Sequence, residues 1–392
     1  MLGDMKHRRA VLVSAIGALV VVVSACAAPD IGPTEVETGA PSEAGTPVTT
    51  GDAPDIGPTE VKTGAPSEAG TPVATGDAPA GLVVMDETLV VVHVYEPTVV
   101  MVEPDGTTTL LTTGPEGPHT PLFAFGSLWM TLPSPAGGTY ETGGGAFYPL
   151  GAVARIDPAT GEVEAQLAAH GTTLAATGTH VWVMGDMADR PGWLWRIDPV
   201  SNDVTTYPDL MPTRVEQLVF DGERLWAVAN CNQFPCPPGE LRLAGIDPAS
   251  GSVTLRGDLP VDFMVSGAAV IDGILWIAGT TDPFSLEQAG TLLIVDRQGQ
   301  VTRTHRIGRM LSGIVGDDSG IWVSDCMAGT VSKLDMTSGE VIAGPIQVGT
   351  PYPEDEPLDP YREDFSCPGA MAVAGDTLWV ANWNDDAVVP VR

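Results

Sequence analysis

Beyond about residue 81 the chain is written in short apolar or alternating runs, separated by turns rich in Gly, Asp, Asn and Pro. A period of two with turn residues between the runs predicts β-strands, and no stretch there keeps the 3.6-residue period of a helix. Six runs repeat a tryptophan in the same slot: Ser127-Leu128-Trp129-Met130, His180-Val181-Trp182-Val183, Arg224-Leu225-Trp226-Ala227, Ile274-Leu275-Trp276-Ile277, Gly320-Ile321-Trp322-Val323 and Thr377-Leu378-Trp379-Val380. All but the last lead to a second signature: Arg155-Ile156-Asp157-Pro158, Arg196-Ile197-Asp198-Pro199, Gly245-Ile246-Asp247-Pro248, Ile294-Val295-Asp296 and Lys333-Leu334-Asp335. A fainter first copy places Leu89-Val90-Val91 in the tryptophan slot and Val102-Glu103-Pro104 in the aspartate slot. A unit of short strands recurring every 40–50 residues or so predicts a β-propeller. The expected fold is all-β: seven four-stranded antiparallel blades at 81–113, 118–168, 171–210, 214–260, 265–308, 311–347 and 367–392.

The turn chemistry fits this unit. Proline fixes φ at the first turn position, and the aspartate before it bonds amides ahead of it, so Asp157, Asp198, Asp247, Asp296 and Asp335 are read as structural. The six tryptophans are read as packing between blades, since each ring buries a large apolar area. The seventh blade ends at Arg392 with three strands written. An open edge invites mispairing, so a strand from around Thr71 to Ala80 is expected to close the ring beside 387–392.

The first 80 residues read differently. Lys6, Arg8 and Arg9 precede an uncharged, mostly apolar run, 10–23, too short to span a bilayer. The run ends in Val23-Ser24-Ala25-Cys26, which resembles the bacterial lipobox; this implies a signal peptide at 1–25 and lipid attachment at Cys26. Two acyl chains would anchor the protein stably to the cell membrane, outside the cytoplasm. Next, residues 28–52 recur as 53–77, with only Glu37 replaced by Lys62 and Thr49 by Ala74. This Pro-, Gly- and Thr-rich stretch has no aromatic residue and too little apolar surface to fold, so 26–80 is read as a disordered tether. The propeller domain is set at 81–392.

A formal charge of −32 argues against nucleic acid, which demands clustered Lys and Arg, and favours a cationic partner. Propeller connectivity places the loops between second and third strands, and the links between blades, on one face, here called X. The long insertions, 132–150, 185–192, 230–240, 279–290 and 348–366, all fall there. Long loops gathered at one end of a rigid scaffold are where function concentrates. Apart from Cys26 the chain has four cysteines, an even number in an exported protein. Bridges are expected between Cys231 and Cys236 within one loop, and between Cys326 and Cys367 on face X.

The repeat resembles the streptogramin lyase (virginiamycin B lyase-like), YVTN and NHL groups of bacterial propellers, most clearly at Val153-Ala154-Arg155-Ile156-Asp157-Pro158-Ala159-Thr160-Gly161. The resemblance covers about 82–392 and is one of fold more than of activity. The lyases hold Mg2+ and use histidine and glutamate in the central channel. Carried to this chain, it singles out His119, His170 and Glu216 near the starts of inner strands, as divalent-ion ligands or as acid and base. Two functions follow. The first is a surface-anchored module that binds a protein or small molecule through face X, with Phe234, Tyr352 and Tyr361 as aromatic contacts beside Glu354, Asp355 and Glu356; Tyr140, Phe147 and Tyr148 add further aromatics. The second is a metal-dependent lyase or hydrolase acting in the channel. No cofactor is demanded; a divalent cation, Ca2+ or Mg2+, is the one candidate, with the acidic loop from Glu354 to Asp364 as a Ca2+ site lacking EF-hand spacing.

Overall fold

The computed structural model describes residues 68–392 except 94–95, 97, 114–119, 134–139, 143–144, 148–149, 186–191, 212–213, 232–235, 282–288 and 354–364. After β1 (Val73–Ala74), the first blade comprises β2 (Pro79–Met85), β3 (Thr88–His93), β4 (Thr98–Val102) and β5 (Thr108–Thr113). The second has β6 (Pro121–Ala124), β7 (Ser127–Pro133), β10 (Leu150–Ile156) and β11 (Val163–Leu167), with a hairpin of β8 (Tyr140–Thr142) and β9 (Gly145–Phe147) inserted in its long loop. The third and fourth are β12 (Thr173–Ala176), β13 (Val181–Gly185), β14 (Trp193–Ile197), β15 (Val204–Tyr207), then β16 (Arg214–Phe220), β17 (Leu225–Asn230), β18 (Leu243–Ile246), β19 (Val253–Gly257). The fifth and sixth are β20 (Phe263–Ile271), β21 (Ile274–Thr281), β22 (Ala289–Val295), β23 (Val301–Arg306), then β24 (Leu311–Asp317), β25 (Gly320–Asp325), β26 (Thr330–Leu334), β27 (Val341–Gln347). The seventh joins β28 (Pro368–Ala374), β29 (Thr377–Asn382) and β30 (Ala387–Val391) to β1 as its outer strand.

Ring closure follows the expectation. Val73 pairs with Val388 and Ala74 with Ala387, and the pairing continues upstream through Ala69 opposite Val391. The propeller therefore begins before residue 81, inside the stretch read as tether.

The core is seven slabs, one at each junction between blades. Around Trp182, for example, Leu218, Leu225 and Ile246 come from the next blade, and around Trp322, Leu378, Val380 and Val389 do. The six repeat tryptophans are at most 3% exposed, the burial expected of inter-blade packing.

The aspartate turns behave as read. Asp157 accepts from Ala159 N and Thr160 Oγ1, Asp198 from Val200 N and Ser201 N, Asp247 from Ala249 N and Ser250 Oγ, Asp296 from Gln298 N, and Asp335 from Thr337 N and Ser338 N. These bonds hold three of the carboxyls below the ordinary carboxylate range, chiefly through the amide of Ala159 for Asp157, the amide of Ser201 for Asp198 and the hydroxyl of Ser250 for Asp247.

The same turns serve the neighbouring blade. Arg155 Nη1 donates to Pro199 O (2.5 Å), Arg196 Nη1 to Ala249 O (3.4 Å), Arg224 Nη1 to Arg297 O (2.9 Å), Arg303 Nη1 to Thr337 O (2.5 Å) and Arg392 Nη2 to Pro104 O (3.2 Å). Each acceptor lies in the turn after the aspartate slot of the next blade, on the face opposite X. Three of these arginines also lie over a repeat tryptophan: Arg155 over Trp129, Arg196 over Trp182 and Arg224 over Trp226, at 5.5, 5.9 and 5.3 Å. Arg224 takes this place in the fourth blade because Gly245 occupies the slot held elsewhere by Arg155 and Arg196. A Cβ there would come within 3.3 Å of Arg224 Cδ.

Candidate functional site

The strands nearest the axis are β2, β6, β12, β16, β20, β24 and β28, each neighbouring the next around the ring. Most carry the same irregularity where they start on face X. The register shifts between Pro79 and Gly81, Val215 and Gln217, Val265 and Gly267, Leu311 and Gly313, and Pro368 and Met371. The extra residues are Ala80, Glu216, Ser266, Ser312 and the pair Gly369-Ala370. In the third blade Thr172 N donates to Met184 O, the residue opposite Thr173, which gives Thr172 the same place; Thr120 precedes β6 in the second. Bulges of this kind re-aim side chains at the rims of closed sheets. Here they set small hydroxyls and one carboxylate, all half-buried, around the channel mouth.

Hydroxyls at this end of the inner strands staple adjacent blades. Thr120 Oγ1 donates to Thr172 O (2.6 Å), Thr173 Oγ1 accepts from Leu218 N (3.0 Å), and Ser312 Oγ bonds Pro368 O. One strand out, Asn230 clamps Val265, donating to its carbonyl (3.0 Å) and accepting from its N–H (2.7 Å). Asp325, at the corresponding end of β25, accepts from the amides of Arg309 and Met310 in the blade link and of Met327 and Ala328 in its own loop.

Face X is covalently reinforced. Cys231 is bonded to Cys236 and Cys326 to Cys367, as expected. Beside the first bridge lies a buried guanidinium, Arg242, which donates to Ala229 O, Pro260 O and Phe263 O. Burial lowers its pKa to about 10, against the raising influence of Glu240 and Asp262. At the closing junction His93 is fully buried, with Nε2 against Thr75 Oγ1 (3.2 Å) and Nδ1 against Thr98 O (3.3 Å). Burial pushes its pKa down, opposed by its bond to Thr98 and by Glu96, Asp77 and Asp386.

The residues singled out from sequence are distributed differently from one another. Glu216 is the bulged residue of β16, at the channel mouth. His170 meets Trp195 edge-on at 5.7 Å; Trp195 belongs to the third strand of its blade, two strands out from the axis. His119 lies outside the described residues, as do Cys26, Phe234, Tyr361, Glu354, Asp355, Glu356 and Tyr148. Among the described residues no three His, Cys, Asp or Glu side chains gather as metal ligands would. Tyr352 is a correction. It is 2% exposed, meets Phe365 edge-on at 5.1 Å, and its N–H bonds Met327 O, so it braces the base of the long link instead of offering a ring to a partner. Tyr140 and Phe147 pair across the inserted hairpin.

No family model matches the chain and no curated relative does. Solved structures match its fold. A streptogramin B lyase aligns with TM-score 0.58 at 12% identity, covering 82% of this chain and 96% of that one. A catalytically inactive virginiamycin B lyase from Staphylococcus aureus with quinupristin gives 0.56 at 14%, covering 82% and 98%. The computationally designed Ika8 protein gives 0.53 at 12%, covering 81% and 98%. The chain shares their architecture. At such identities the likeness speaks to fold alone.

Proposed function

We propose that the chain is an exported lipoprotein, anchored through Cys26, whose propeller binds a polar and preferentially cationic ligand on face X. The observation that carries this reading is the path of the chain into the ring. Gly70 N donates to Pro390 O and Arg392 N to Glu68 O, so the tether meets the propeller at the far end of β30, on the face opposite X. An anchor at the start of that tether leaves the disulfide-stapled loops and the hydroxyl-lined mouth turned away from it. The excess of carboxylates sets the sign of the partner, and attraction of this kind accelerates encounter and weakens with salt.

Two measurements test it. In cells, Cys26→Ser should move the protein from the membrane fraction to the soluble one; unchanged membrane association refutes the anchor. In vitro, oligolysine should bind with an affinity that falls as salt rises, and E354Q/D355N/E356Q should weaken it about tenfold or more. D157N/D198N/D247N, on the opposite face, should not. Equal losses from both sets, or no binding, refute face X.

The location of Glu216 at the mouth favours one further reading, a metal-dependent lyase or hydrolase using it with His119. Metal analysis of the purified protein, and metal uptake by Glu216→Gln, would separate the two.

A further inference from the structure

The tether's tandem repeat and the ring's closure involve the same residues. The closing segment, from Glu68 to Pro79, recurs 25 residues upstream from Glu43 to Pro54, with the single change of Ala74 to Thr49. We propose that 43–52 is a second closing strand, able to seat on β30 of its own chain in place of 68–77.

The requirements of the seat are met by the copy position by position. Ala69 and Val73 pack against the clusters around Val391 and Val388, and the copy has Ala44 and Val48. Gly70 lies against Pro390, where an added Cβ would be 3.0 Å from the ring; the copy has Gly45. Thr75 donates its N–H to Asp386 O and sets its hydroxyl against His93, and the copy has Thr50. Gly76 has φ +133° and lies against Glu96 and His93, and the copy has Gly51. Ala78, at φ 54°, donates to Asp386 Oδ1, and the copy has Ala53. The one difference falls at Ala74, which is exposed; a threonine there costs no packing and suits a strand better. The copy thus keeps every residue that the seat contacts and differs at one position that faces water.

The two seats are unequal. Closing with the upstream copy leaves a loop of about 25 residues before β2, and a three-halves power of loop length makes that on the order of a hundredfold less favourable. The proximal strand therefore closes the resting ring. The upstream copy stays tethered at an effective concentration in the millimolar range, which favours it over a strand from a second molecule. Displacing 68–77 would then lengthen one side of the closure and shorten the tether by one repeat without baring the edge of β30.

Hydrogen exchange of the two amides at the β30 edge that face the closing strand, those of Val388 and Arg392, tests this in the full chain. A69D/V73D places charges in both clusters and disables the proximal strand. Both amides should stay protected in a monomer, with protection reduced by no more than about a hundredfold. Adding A44D/V48D should abolish it, and A44D/V48D alone should change nothing. A second variant deletes 53–77, joining Asp52 to Ala78, and should unfold at the same temperature as the parent. Loss of protection in A69D/V73D, protection only through dimer formation, protection persisting when both copies are disabled, or a destabilised deletion chain would each overturn the proposal.

Discussion

At the scale of single residues, the repeat tryptophans share a slot but not a partner for the indole N–H. Trp226 donates to Asp221 Oδ2 and Trp322 to Asp317 Oδ2, while Trp129 uses the carbonyl of Ala124. Asp317 is the most committed of these acceptors, for it also takes Lys333 Nζ at 2.7 Å and the amide and hydroxyl of Ser319. Burial alone would raise its pKa; the bonds from Lys333, Ser319 and Trp322 outweigh burial and lower it to about 2. A carboxyl depressed in the folded state stabilises it above the unfolded pKa near 4, and that contribution disappears as pH falls from about 4 towards 2. At neutral pH it amounts to roughly 2 kcal/mol. Urea unfolding as a function of pH should show this loss in the parent. In Asp317→Asn, stability at pH 7 should drop by that amount and the acid limb should flatten. An unchanged acid limb would mean that Lys333 and Asp317 contribute nothing net.

At the scale of elements, the two disulfides differ in what they restrain. Cys326–Cys367 spans 41 residues and Cys231–Cys236 spans 5. On the loop-entropy account the first stabilises by on the order of 4 kcal/mol and the second by about 2. Replacing the Cys326–Cys367 pair by serine should lower the thermal midpoint more than replacing Cys231–Cys236, and the reverse order would show that strain or local packing dominates. Blades, turns and pairings were legible because their signals are local: a tryptophan, an Asp-Pro turn and a period of two lie within one stretch of chain. The hydroxyl ring was not. Thr120, Thr172, Glu216, Ser266 and Ser312 share no motif, and only their place at the start of an inner strand, beside a register shift for Glu216, Ser266 and Ser312, makes them equivalent. His170 shows the same limit from the other side. Its place in the sequence suggested the channel mouth, while its packing on Trp195 holds it further out. The arginine latches were half legible, since Arg155 and Arg196 belong to the repeat signature but their acceptors lie one blade away in sequence.

At the scale of the whole molecule, a ring of seven similar junctions contains one unlike the rest. Six join blades adjacent in sequence; the seventh joins the end of the chain to its beginning, across 288 residues at the bond from Arg392 to Pro104 O. Contacts so far apart cost the most loop entropy and are made late in folding. Interactions absent from the folding transition state act on unfolding alone, whereas those already formed there act on folding. Arg392→Ala removes a latch at the closing junction, and Arg155→Ala removes a latch of the same chemistry between neighbouring blades. Stopped-flow denaturant kinetics should therefore separate them. Arg392→Ala should accelerate unfolding and leave the refolding rate of the main phase unchanged, while Arg155→Ala should slow refolding as well. If the two variants partition their effects identically, closure is not the late step, and the ring assembles without regard to where its ends meet.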